Sequence, residues 1–96
     1  MQYLYYTIEI SIKTTKGYTP FCNFQLGKTD ENAERIFAGM AGTPTNVNGY
    51  APFQMNLAQY GKGRPVTLAT QYCSLAELKE NCHYIAKEVF KILNLE

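Results

Sequence analysis

The chain contains no tryptophan, one histidine (His83), one aspartate (Asp30) and three cysteines without a C-x-x-C pair. Each scarcity removes a class of chemistry. Zinc sites built on paired thiolates need close Cys spacing, and Cys73 and Cys82 lie nine positions apart. An odd number of scattered cysteines is no disulfide framework, so reduced thiols in a cytoplasm are the simplest expectation. Asp30 is accounted for by helix capping, and the glutamates scatter, so no carboxylate pair for acid–base work is suggested. Charge of either sign is also in short supply. Nine Lys and Arg stand against eight Asp and Glu, a net of +1. Duplex nucleic acid is therefore a poor partner, because its affinity comes mostly from many cationic contacts to phosphate. No basic cluster suits an anionic membrane. Long apolar runs are missing too, so no segment is expected to span a bilayer. The opening Met1-Gln2-Tyr3-Leu4-Tyr5-Tyr6 lacks the basic and apolar regions of a signal peptide. The Gly27-Lys28-Thr29 junction has the tail of a phosphate loop but not its first glycine, since position 22 is Cys22.

What is present is ordinary apolar content, 46%, with eight Tyr and five Phe. At 96 residues the chain reads as one domain, 1–96, because half that length would not bury a core.

Residues 4–13 alternate strictly, with Leu4, Tyr6, Ile8, Ile10 and Ile12 on one side and Tyr5, Thr7, Glu9, Ser11 and Lys13 on the other. Such a period predicts a half-buried strand. A turn at 14–17 leads to a second strand over 18–26, with Cys22, Phe24 and Leu26 inward and Phe21, Asn23 and Gln25 outward. Thr29 or Asp30 then caps a helix over 30–41 whose Ala33, Ile36, Phe37, Met40 and Ala41 form one buried stripe. Two prolines and two glycines make 42–52 an irregular connection, long enough to attract functional interest. Strand three is expected at 53–57, a turn at 61–63 and strand four at 66–70. Ser74 and Glu77 form a capping box, with Cys73 and Leu78 as its hydrophobic staple. The helix behind them runs to about residue 94 on the stripe Leu78, Cys82, Ile85, Val89, Ile92. His83 and Phe90 flank this stripe, and Tyr84 points to solvent.

An offset of 45 aligns the two halves, about 3–42 and 50–95. Ile8, Ile10 and Ile12 fall on Phe53, Met55 and Leu57, Pro20 on Pro65, and Thr29 on Ser74. Register fails in strand four, where Thr67 and Ala69 hold the inward slots while Val66 and Leu68 are more apolar. A bulge there would reconcile the pattern. The expected architecture is thus an α+β, ββαββα two-layer sandwich. It has a four-stranded antiparallel sheet, two helices on one face and an internal pseudo-repeat.

Both helices on one face leave the other open. Parity assigns it Tyr5, Thr7, Phe21, Asn23, Gln25, Gln54 and Asn56, together with Glu9, Ser11 and candidate positions Thr67 and Gln71. Aromatic and amide groups with little charge suit a partner-binding surface, for a homodimer or another protein. The expectation is a small cytoplasmic interaction module with no catalytic, metal or cofactor residues assigned. Two alternatives stand beside it. One is a small-ligand binder or thiol enzyme with its site between the 43–52 loop and Cys73, whose place at a helix N-terminus favours a lowered pKa. The other is a weak single-stranded nucleic-acid binder stacking bases on the sheet aromatics.

Overall fold

The structure is a computed structural model that describes residues 4–46, 49, 51–61 and 63–95, with side chains to residue 92. Val47, Asn48 and Tyr50 of the long connection and Lys62 of the second turn lie outside the described residues. Elements follow in the order β1 (Tyr5–Thr14), β2 (Gly17–Gly27), α1 (Asp30–Ala38), β3 (Phe53–Tyr60), β4 (Val66–Cys73) and α2 (Leu75–Leu95). The strands form one antiparallel sheet in the order β2-β1-β3-β4.

Alternation in β1 decides which face is buried. Tyr6, Ile8 and Ile10 join Phe53, Met55 and Leu57 in one apolar cluster, and Ala33, Ile36 and Phe37 of α1 with Leu78 and Ile85 of α2 complete it. Both helices therefore cover the same sheet face. The β1–β3 ladder sets Ile8 opposite Leu57, Ile10 opposite Met55 and Ile12 opposite Phe53 without a break.

The outer strands do break register. In β2, Ile10 pairs with Cys22 and Ser11 with Pro20, so Phe21 is an extra residue. In β4, Leu57 pairs with Ala69 and Ala58 with Thr67, leaving Leu68 extra. Each bulge reverses parity along its strand. Strand four is thereby reconciled: Ala69 faces the helices beside Leu68, and Thr67 the open face. The two halves do not bulge at equivalent positions, so the offset of 45 keeps register at the helix starts, Asp30 and Leu75, better than along the outer strands.

The helices differ from expectation at their ends and flanks. Thr29 is the N-cap of α1, but its hydroxyl makes no capping bond, and the helix stops at Ala38 instead of running to 41. Asn81 of α2 takes the backbone that would have continued it. Its Oδ1 accepts from the Ala41 N–H and its Nδ2 donates to the Ala41 carbonyl, both at 2.8 Å. The capping box of α2 forms as expected, with the Glu77 N–H donating to Ser74 Oγ at 3.2 Å and the Ser74 N–H donating to Glu77 Oε1 at 2.9 Å. Tyr84 does not point to solvent. It is partly buried against the core, and a Cβ at Gly39 would collide with its hydroxyl. The reason is that α1 lies along that flank of α2, so the buried arc of α2 extends past the sheet-facing stripe to Asn81 and Glu88.

Candidate functional site

Opposite the helices, the sheet presents a face organised by its own side chains. Thr70 Oγ1 donates to Asn56 Oδ1 at 2.7 Å, Asn56 Nδ2 donates to Gln54 Oε1 at 3.4 Å, and Gln54 Nε2 donates to the Tyr72 hydroxyl at 3.3 Å. This chain runs along β3 and β4. Tyr5 and Tyr60, paired across β1 and β3, stack with centroids 5.1 Å apart and planes within 9°. The Tyr60 hydroxyl donates to Glu9 Oε2. That bond, more than desolvation or the carboxylate charge, raises the Tyr60 pKa, so the phenol stays protonated. At the opposite end Lys13 Nζ lies 5.5 Å from the centre of the Tyr18 ring, and Tyr18 approaches Tyr72 at 6.1 Å.

Of the residues expected on this face, Tyr5, Asn23, Gln25, Gln54 and Asn56 are there, and Tyr5, Asn23 and Gln25 are exposed. Three expectations are corrected. Phe21 is turned to the helix side by its bulge, where its ring lies 6.1 Å from that of buried Phe53. Thr7 belongs to the open face by register but is only 5% exposed, and its Oγ1 has no hydrogen-bond partner, so it cannot offer area to a partner. Gln71 also faces the helices, donating from Nε2 to the Phe37 carbonyl at 2.9 Å. Where Phe21 leaves the open face, a hollow of about 280 Å³ remains among Glu9, Ser11, Pro20, Asn23 and Asn56.

Sequence reasoning missed Tyr18, Tyr60, Tyr72 and Thr70 as members of the face. Tyr60 and Tyr72 fell beyond strands expected to stop at 57 and 70. No apolar–polar alternation marks either extension, Leu57-Ala58-Gln59-Tyr60 or Thr70-Gln71-Tyr72-Cys73; the only signal was the strand preference of Tyr and Thr.

The connection and Cys73 do come together, around a largely apolar depression that also includes Thr43, Asn46, Pro52, Tyr72 and Glu77. Its chemistry differs from the expected activated thiol. Burial pushes the Cys73 pKa up to about 11, the Glu77 carboxylate adds to this, and a hydrogen bond from Asn81 opposes it. Burial overrides the helix N-terminus. Among the described residues no basic groove accompanies the tyrosines, since Lys13 is the one cation among them that strand register places on the face. Among the described residues no group of three His, Cys, Asp or Glu side chains is placed to hold a metal ion, and no helix is long and apolar enough to cross a membrane.

The fold and face define an α+β protein with a preorganised, tyrosine- and amide-bearing sheet surface. Comparison with protein-family models, curated proteins and solved structures gives no match.

Proposed function

We propose that the protein is an interaction module that docks a partner protein on the open face of its sheet. The carrying observation is the hydrogen-bonded row Thr70, Asn56, Gln54 and Tyr72. A polar surface whose side chains are already held in place loses less rotamer freedom on binding, which leaves more of the contact energy as affinity. Tyrosines add large rigid area with a hydroxyl at the tip, the mixture that suits polar protein interfaces. Glu9 is bonded to Tyr60 and Lys13 lies over Tyr18, so a docking partner meets little bare charge. Three unpaired thiols fit a cytoplasmic setting for such a module.

The test is site-specific photo-crosslinking in living cells. A benzophenone side chain at Asn56 should yield a discrete protein adduct, whereas the same group at exposed Glu80 on α2 should not. Asn23→Arg should abolish the adduct by placing a cation against the docked surface. Equal labelling from positions 56 and 80, or an adduct indifferent to Asn23→Arg, would remove the open face as the docking surface.

A further inference from the structure

The helical layer reaches the fourth strand only at its Gln71–Cys73 end, where Gln71 bonds to α1 and Cys73 is buried. α1 packs on β1, β2 and β3, and α2 packs chiefly on β2. Leu68 and Ala69 therefore remain exposed on the helix side, Leu68 to 44%. Beside them an apolar cleft of about 560 Å³ runs between β4 and Phe37 and Met40, with Leu57 at its base. β4 is also an edge of the sheet. Thr43 shows how that edge is paired: its N–H donates to the Tyr72 carbonyl at 2.9 Å and its carbonyl accepts from the Tyr72 N–H at 2.8 Å. Tyr72 thus turns both backbone groups outward. The alternation of an antiparallel ladder gives Thr70 the same orientation, and an edge presenting such groups is a template for another strand.

We propose that a second copy of this chain occupies this edge, the two β4 strands pairing antiparallel about a two-fold axis so that their sheets join. The ends of the free stretch, 66–71, fit this arrangement. Pro65 closes one end because it has no N–H to donate, and the Thr43 bridge closes the other. With 66 laid opposite 71, Pro65 of one copy falls opposite Tyr72 of the other, whose outward groups are already taken. Neither strand is asked for a bond it lacks.

The middle fits as well. The same register sets Leu68 of each copy across from Ala69 of the other, and the bulge puts both side chains on the helix side. The small Ala69 leaves room, and Leu68 reaches the apolar cleft of the facing copy. One patch thus carries both a protruding side chain and its receptor, which an isologous interface requires. Residues 66–71 carry no charge, so self-pairing opposes no like charges. The other sheet edge is less suited, since Pro20 and two bulges interrupt β2. The proposed contact lies along the sheet edge and does not depend on what docks on the open face.

Sedimentation velocity on the full chain, from low to high micromolar, tests the assignment. The expected result is a concentration-dependent species of twice the 10.9 kDa chain mass. Leu68→Glu should weaken it by more than tenfold while leaving the far-ultraviolet circular dichroism unchanged, because Leu68 is half exposed in the single chain. Ala69→Leu, at another exposed position, should dissociate it independently by filling the space Leu68 needs, and open-face Asn56→Arg should leave it intact. A chain that stays monomeric throughout overturns the proposal. So does a dimer that survives Leu68→Glu and Ala69→Leu but is lost in Asn56→Arg, since that result moves self-association to the open face.

Discussion

Cys73 shows at single-residue scale how position and burial compete for one group. Its backbone precedes the first turn of α2, where the helix dipole favours a thiolate. Its side chain is 3% exposed, with Sγ 3.7 Å from Met55 Sδ. Desolvation disfavours the charged form, and Glu77 one turn along adds repulsion. With a pKa of about 11, only about one thiol in ten thousand is ionised at neutral pH. Iodoacetamide should therefore label exposed Cys22 first, partly buried Cys82 next and Cys73 last, the last at the rate of global opening. Residue-resolved mass spectrometry of a labelling time course reads this order directly. Cys73 labelled as fast as Cys22 in the folded protein would restore the thiol-enzyme reading.

Contact between α1 and α2 is an element-scale property that strand and helix patterns do not display. Arg35 Nη1 donates to Glu88 Oε1 at 2.7 Å, and Lys91 Nζ donates to Glu88 Oε2 at 3.3 Å. The Arg35 bond, supported by Lys91, holds the Glu88 carboxyl below its usual range against the opposing effect of desolvation. A folded-state pKa below the unfolded one gives stability that is present above the unfolded value. It is lost as pH falls through the folded value. Glu88→Gln should accordingly lower the urea midpoint at neutral pH, and the gap from wild type should shrink as acid protonates Glu88 in the folded protein. A gap that persists undiminished in acid would mean that the charge at Glu88 contributes nothing to the helix contact.

What could be read in advance follows the same division. β1, β3 and both helices announce themselves because each meets one large apolar surface at a fixed period. Phe21 and Leu68 were misassigned or ambiguous because a bulge is one extra residue and leaves composition unchanged while reversing every later position. Asn81 and Glu88 escaped because a polar residue on a buried arc is explained only by its partner, here Ala41 or Arg35, about forty or fifty positions away. Strand four's disputed parity was nevertheless a usable signal. It marked the place where the sheet's apolar side extends beyond its helical cover.

Over the whole molecule the result is a thin body, 41 × 29 × 19 Å, with a radius of gyration of 13.4 Å against about 12.5 Å for a compact chain of this length. One sheet and one helical layer account for the short axis, and among the described residues no further element covers the open face or the β4 edge. The long connection takes up part of that deficit by tying the two sheet edges together. It bridges β4 through Thr43 and reaches β2 through Tyr18, whose hydroxyl donates to the Ala51 carbonyl at 2.7 Å and accepts from Asn46 Nδ2 at 2.9 Å. Asn46 Oδ1 in turn accepts from the Ala51 N–H at 3.0 Å. Tyr18→Phe keeps the ring against Tyr72 and removes both hydroxyl bonds. It should cost about 1–2 kcal/mol, the range for losing part-buried hydrogen bonds. Amide hydrogen exchange should locate that loss, with Ala51 and Tyr72 exchanging faster while the β1–β3 ladder stays protected. Since the Thr43 bridge also sets where the free edge of β4 ends, loosening it should expose the outward groups of Tyr72 and weaken the fit of two antiparallel β4 strands. If Tyr18→Phe leaves exchange at Tyr72 unchanged, the connection does not couple the edges, and the β4 terminus is set by the Thr43 pairing alone.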